Sequence, residues 1–184
     1  PYTAMLNTLF LREHNRLAGE MEAAYPDWDD ERIFQTARNV NVVLLIKIVV
    51  EEYINHISPY HFQLSADPSA CWHKDWNKPN WIPIEFNLLY RWHSLTPATF
   101  DVAEEPVPGE AFVYDNAHLT RIGLGEAMQR ASAQRAWQMG LMNTPEFLLP
   151  VELASLKQGR EHKLGSYNDY REAMRFGRVT RFDQ

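Results

Sequence analysis

Apolar residues recur at three- and four-residue steps in the first stretch of the chain. Met5, Leu6, Leu9, Phe10, Leu17 and Met21 share one face of a helix that the spacing predicts as far as about Tyr25. Pro26 ends it. Asp29 or Asp30, with acidic residues in the following turn, opens a second and longer helix over about Glu31–Ile57, which Pro59 closes. Its Ile, Val and Leu content predicts burial on most sides. The longest apolar run within it, Val40 to Val50, is interrupted by Asn41 and Lys47 and falls short of the ~20 residues that span a bilayer, so it reads as a core helix rather than a membrane anchor.

After Ser58 neither helical nor strand periodicity survives. Pro, Asp, Asn, His and Trp crowd the stretch to Asn80, which reads as a long loop, and loops of that length are commonly functional. Pro83 suits the first turn of a third helix, predicted over Ile84–His93 and stopped by Pro97. Two prolines and a glycine among acidic residues make Thr99–Val113 a second loop. Helical spacing returns near Leu124–Trp137 and Val151–His162, and a last helix runs from near Tyr167 to Gly177. The fold class is mainly α, with no internal repeat and no glycine-rich phosphate loop.

Composition narrows the classes of function. Among 184 residues the 18 Lys and Arg are scattered and the net charge is −6, so the basic stripe that a phosphate backbone requires is missing and nucleic acid is not an expected partner. Cys71 is the one cysteine, which excludes an internal disulfide and a thiolate metal knuckle. A cytoplasmic or peripheral-membrane location is therefore expected over a disulfide-rich secreted one, although no membrane-binding element is visible. The first residues read as mid-helix, so residues 1–184 are expected to be one segment of a larger domain.

The chemistry concentrates in EFNLLYRWH. On a helix Tyr90 and His93 would lie on neighbouring parts of one face, roughly 5–6 Å apart at Cβ, with Phe86 one turn behind the tyrosine. Were His93 to ligate an iron, the phenol would be held beside it. Spacing alone does not reveal this, because a histidine or tyrosine on an apolar helix face is more often a hydrogen-bonded core residue.

Resemblance supplies what spacing cannot. FLREHNRL (Phe10–Leu17) resembles a segment of the animal-type haem peroxidases, while IKIVVEEYINHISPYHFQL (Ile46–Leu64), EFNLLYRWHSLTPATF (Glu85–Phe100) and SYNDYREAMRFG (Ser166–Gly177) are similar to cyclooxygenases, in family order. The resemblance implies a helical catalytic domain of which this chain holds the proximal haem side, without the distal N-terminal part or the C-terminal end. It implies haem, iron protoporphyrin, as cofactor, with His93 as proximal iron ligand, Trp92 beside it, and Asn168 behind the imidazole, where a partner on the second ring nitrogen would tune the iron.

The same resemblance makes Tyr90 the tyrosine oxidised to a radical, Tyr53 its hydrogen-bonded neighbour, and Ile54, Ile57, Ser58, Phe86 and Leu89 the lining of a fatty-acid channel, with Tyr60 at its mouth. The implied reaction begins with peroxide oxidising the haem. A Tyr90 radical then abstracts hydrogen from a fatty acid, and dioxygen adds. One departure matters: Arg91 stands where cyclooxygenases have a histidine, giving YRWH, a form similar to fungal linoleate diol synthases and plant α-dioxygenases, which argues against a prostaglandin product. Two alternatives stay open, a haem peroxidase acting on small donors and a degenerate member serving as a binding module. The expected partners are fatty acid, dioxygen, peroxide and the remainder of the same catalytic domain.

Overall fold

The computed structural model describes residues 1–59 and 61–183 and divides into two compact units. The first comprises Pro1–Pro79 and Tyr114–Arg130, the second Asn80–Val113 and Ala131–Gln184.

In the first unit the helix Tyr2–Ala24 packs on the helix Asp30–Lys47. Asp29 is the N-cap of the latter, its carboxylate accepting the Arg32 amide at 2.8 Å, so the acidic pair before the apolar run does set the start. The two helices meet along one stripe. Met5 and Ala37 are buried, and the Asn41 amide donates to the Phe10 carbonyl at 2.9 Å. Burial of the second helix on most sides is not found. Val40, Val42, Val43, Leu44, Leu45 and Ile46 are 37–49% exposed, because one neighbouring helix covers only one face.

The helical path does not stop at Lys47. It passes through a π-helical stretch, Ile48–Ile54, and closes with Asn55–Ile57. Counted as one, Asp30–Ile57 has 28 residues and an 18-residue window of mean hydropathy 1.5, long and apolar enough to cross a membrane by length and composition. That corrects the reading of the run as too short. Beyond it, Asn55 holds the chain back on itself, accepting from the Leu64 amide and donating to the Leu64 carbonyl. Glu51 accepts from Lys47 (2.8 Å), the Ala66 amide (3.0 Å) and the Ser65 hydroxyl (3.3 Å), and these bonds hold its carboxyl below its ordinary range.

The second unit is built around a small aromatic core. Strands Thr99–Phe100 and Val107–Pro108 pair antiparallel and bring Phe100 and Val107 opposite each other. Phe100 stacks on Phe112 at 4.2 Å and meets Phe147 edge-on at 6.4 Å, with Val102 fully buried. At Gly109 a Cβ would overlap the Phe147 ring, so only glycine admits this approach. Phe147 lies in the 3-10 turn Glu146–Leu148 that leads directly into the helix Leu149–Glu161. The aromatic core therefore seats that helix. The last helix, Tyr167–Ala173, starts from a capping box in which Ser166 and Asp169 satisfy each other's backbone amides.

Candidate functional site

The helix expected over Ile84–His93 is shorter than that. It spans Ile84–Leu89, with Tyr90 as its C-cap, and His93 begins a separate 3-10 turn, His93–Leu95. Trp92 leaves helical geometry at ψ 54°, and the Leu95 carbonyl accepts from the Trp137 amide. That bond, made outside any helix, also shows why the Leu124–Ala133 helix stops short of Trp137. Tyr90 and His93 are thus neighbours across a tight turn, not one helical turn apart.

Two sets of contacts organise the turn. On one side the aromatic rings form a row: Phe86 stacks on Tyr90 at 5.0 Å and 17°, and Trp92 lies against Tyr90 at 4.4 Å and 41°. Tyr90 keeps 44% of its surface exposed. On the other side is the helix Leu149–Glu161, with Glu152, Ser155 and Gln158 at three-residue steps along one face. His93 Nδ1 lies 2.8 Å from Glu152 Oε1. The Arg91 guanidinium donates to Ser155 Oγ, Gln158 Oε1 and Asn87 Oδ1, each at 2.8 Å. Ser155 in turn donates its hydroxyl to the Val151 carbonyl, leaving its oxygen to accept. The short helix is tied from below as well, by Tyr170, whose hydroxyl donates to Glu85 at 3.1 Å. Desolvation first, and that carboxylate second, raise the Tyr170 phenol above its ordinary pKa.

The sequence model of the family described as animal haem peroxidase matches residues 1–184. This chain belongs to the animal haem peroxidases. Prostaglandin G/H synthase 2 of Equus caballus is 38% identical to it over 185 residues, and prostaglandin G/H synthase 1 of Rattus norvegicus 37% over 178. The haem peroxidase chain is covered at 100% and 96%, yet spans only 31% and 29% of those proteins. Among solved structures, the fatty acid α-dioxygenase of Arabidopsis thaliana aligns with a TM-score of 0.80 at 18% identity, covering 97% of this chain and 37% of that one. Peroxidase A of Dictyostelium discoideum aligns at 0.67 and 19%, covering 96% and 37%. At such identities the likeness speaks for the fold, which is the helical haem peroxidase fold.

The residues fit a haem. A carboxylate oxygen can only accept, so an ionised Glu152 requires the hydrogen on His93 Nδ1 and leaves the lone pair on Nε2, the nitrogen a metal would take. Nε2 makes no hydrogen bond among the described residues. Among those residues, too, no three His, Cys, Asp or Glu side chains group to hold a bare metal ion, whereas haem iron needs one axial nitrogen from the protein.

Other expected residues fall as follows. Asn168 is not the imidazole's partner: its amide exchanges two 2.9 Å bonds with the Val179 backbone, tying the chain beyond the last helix to that helix's first turn. Glu152 takes that place, and sequence reading missed it. The partner lies 59 residues from His93, and a lone Glu in a helix's first turn reads as an ordinary response to the helix dipole. Leu89 is 77% exposed and Phe86 49%. Tyr53, Ile54, Ile57 and Ser58 belong to the first unit, where the π-helical stretch and its closing turn carry them. Tyr60 lies outside the described residues.

Proposed function

We propose that the whole protein is a haem-dependent fatty-acid dioxygenase, to which this segment contributes the proximal ligand and the oxidising tyrosine. The observation that carries the reading is the turn from Tyr90 to His93: an imidazole with its Nδ1 committed to a carboxylate, three residues from a phenol packed against two aromatic rings. Haem, when bound through His93 Nε2, supplies peroxide-driven one-electron oxidation. The protein's part is orientation and a dry site.

In this reading Tyr90 loses an electron and its hydroxyl proton to become a phenoxyl radical. It then takes a hydrogen atom from a C–H bond of the fatty acid. The phenol is restored, and dioxygen adds to the carbon radical left behind. Phe86 and Trp92 fix the ring's direction. Phe86 and Leu89, beside Tyr90, are proposed to line the fatty-acid channel, on the strength of their match to the family's segments. The Arg91 clamp, which a histidine could not form with three acceptors, supports a product other than a prostaglandin.

The test is the absorption spectrum of the longest native gene product supplied with haem, beside His93→Ala, followed by oxygen uptake with linoleate and guaiacol oxidation by peroxide. A Soret band that requires His93, together with linoleate-dependent oxygen uptake, is the expected result. Guaiacol turnover without oxygen uptake would replace the dioxygenase with a small-donor peroxidase. A folded protein with no Soret band would leave only a binding module.

A further inference from the structure

We infer that Glu152 is a positioning residue for the haem ligand, an anionic partner on Nδ1 that makes His93 an electron-rich axial imidazole; this rests on the haem-site reading above. Its separation from His93, 2.8 Å, lies in the range of charge-assisted hydrogen bonds. Glu152 sits in the first turn of the Leu149–Glu161 helix, where the helix dipole favours negative charge. A carboxylate there draws the Nδ1 hydrogen more strongly than a neutral amide would. Negative charge is thereby shared onto the ring, and a ring so charged favours ferric over ferrous iron.

Arg91 and Glu152 belong to one device. Ser155 and Gln158 follow Glu152 at three-residue steps on the same helix and take two of the three Arg91 bonds. The turn is therefore docked along the helix at two points by Arg91 and at a third by His93, so the imidazole meets the carboxylate at a fixed place. A neutral or shorter residue at 91 would leave the third contact to be made alone. The aromatic core seats the helix at the same N-terminal end that carries Glu152, through Phe147 against Gly109. The ligand's basicity is thus set by a helix that supplies no atom to the iron.

The experiment compares the haem-loaded longest native gene product with its Glu152→Gln and Glu161→Gln variants, reading the ferric/ferrous midpoint potential by spectroelectrochemistry and the ferrous iron–histidine stretch by resonance Raman. Glu152→Gln is expected to keep a Soret band while its ferric-to-ferrous ratio at fixed potential falls at least tenfold, about 59 mV for one electron, and its stretch moves to lower frequency. Glu161→Gln removes a carboxylate from the last turn of the same helix, nine residues beyond Glu152, and leaves the potential in place. An unchanged midpoint and stretch in Glu152→Gln, in a protein whose Soret band does require His93, overturns the inference and leaves the haem site standing. A Soret band indifferent to His93 overturns both. Should Glu152→Gln take up no haem, Glu152→Asp, which keeps the charge, is expected to restore loading; failure to do so excludes the charge as the cause.

Discussion

Tyr90 caps a six-residue helix and packs against the rings of Phe86 and Trp92, which hold its ring. Tyr90→Phe would keep these ring contacts and remove the hydroxyl. Oxygen uptake with linoleate is expected to vanish while guaiacol oxidation by peroxide survives, and retention of both activities would refute the radical role. At this scale the sequence was legible where a residue's setting is local, as in the one-turn spacing that brings Phe86 against Tyr90. It was silent on Glu152, whose meaning comes from a contact 59 residues away, and it pointed to Asn168, whose amide is engaged by Val179. Short polar side chains carry little sign of which of several backbone or ring partners they will meet.

Elements were readable in their existence and less so in their ends. Periodicity found the two long helices, the helix before Glu161 and the one after Ser166, because apolar spacing and capping residues are written locally. The break after Leu89 was not, since the bonds of Arg91 and Leu95 that hold the following turn come from distant segments. Two predictions belong here. Gly109→Ala forces a methyl group into the Phe147 ring and is expected to destabilise the protein by about 1–3 kcal/mol, measured by chemical denaturation. An unchanged denaturation midpoint would mean that the ring yields freely.

The second concerns Glu51, whose bonds to Lys47, Ala66 and Ser65 lower its pKa from 4.5. A carboxyl lowered on folding contributes stability that is complete above its unfolded value and is lost as pH falls through the folded one. The Ala66 amide resonance is therefore expected to titrate with a midpoint below 4.5, as the loop comes off the helix in acid. A midpoint at or above that value would show that the loop is not held there.

At the scale of the whole molecule the dominant fact is uncovered apolar surface. Beside the 40–46 run, Trp72, Trp76, Trp81, Ile82, Leu141 and Met142 are 69–102% exposed. The chain spans 31% and 29% of the length of the prostaglandin G/H synthases it matches. The 184 residues expressed alone are expected to self-associate and to brighten a hydrophobic dye. The longest native gene product should remain dispersed in the same buffer, and light scattering with dye fluorescence decides between them. Net charge of −6, spread thinly, does little to oppose association.

The π-helical stretch Ile48–Ile54 has a geometric corollary. An α-helix advances about 100° per residue, and a single π turn absorbs roughly one residue beyond the α repeat. The stretch thus acts as a phase step: the azimuth at which Ile54 and Ile57 leave the helix axis is offset by about that angle from the one Asp30–Lys47 would dictate. Removing one residue between Ile48 and Ile54 would let the helix close into an unbroken α repeat and leave everything downstream at its present azimuth. The same deletion inside Asp30–Lys47 has no such slack and would turn the chain beyond it by about 100°.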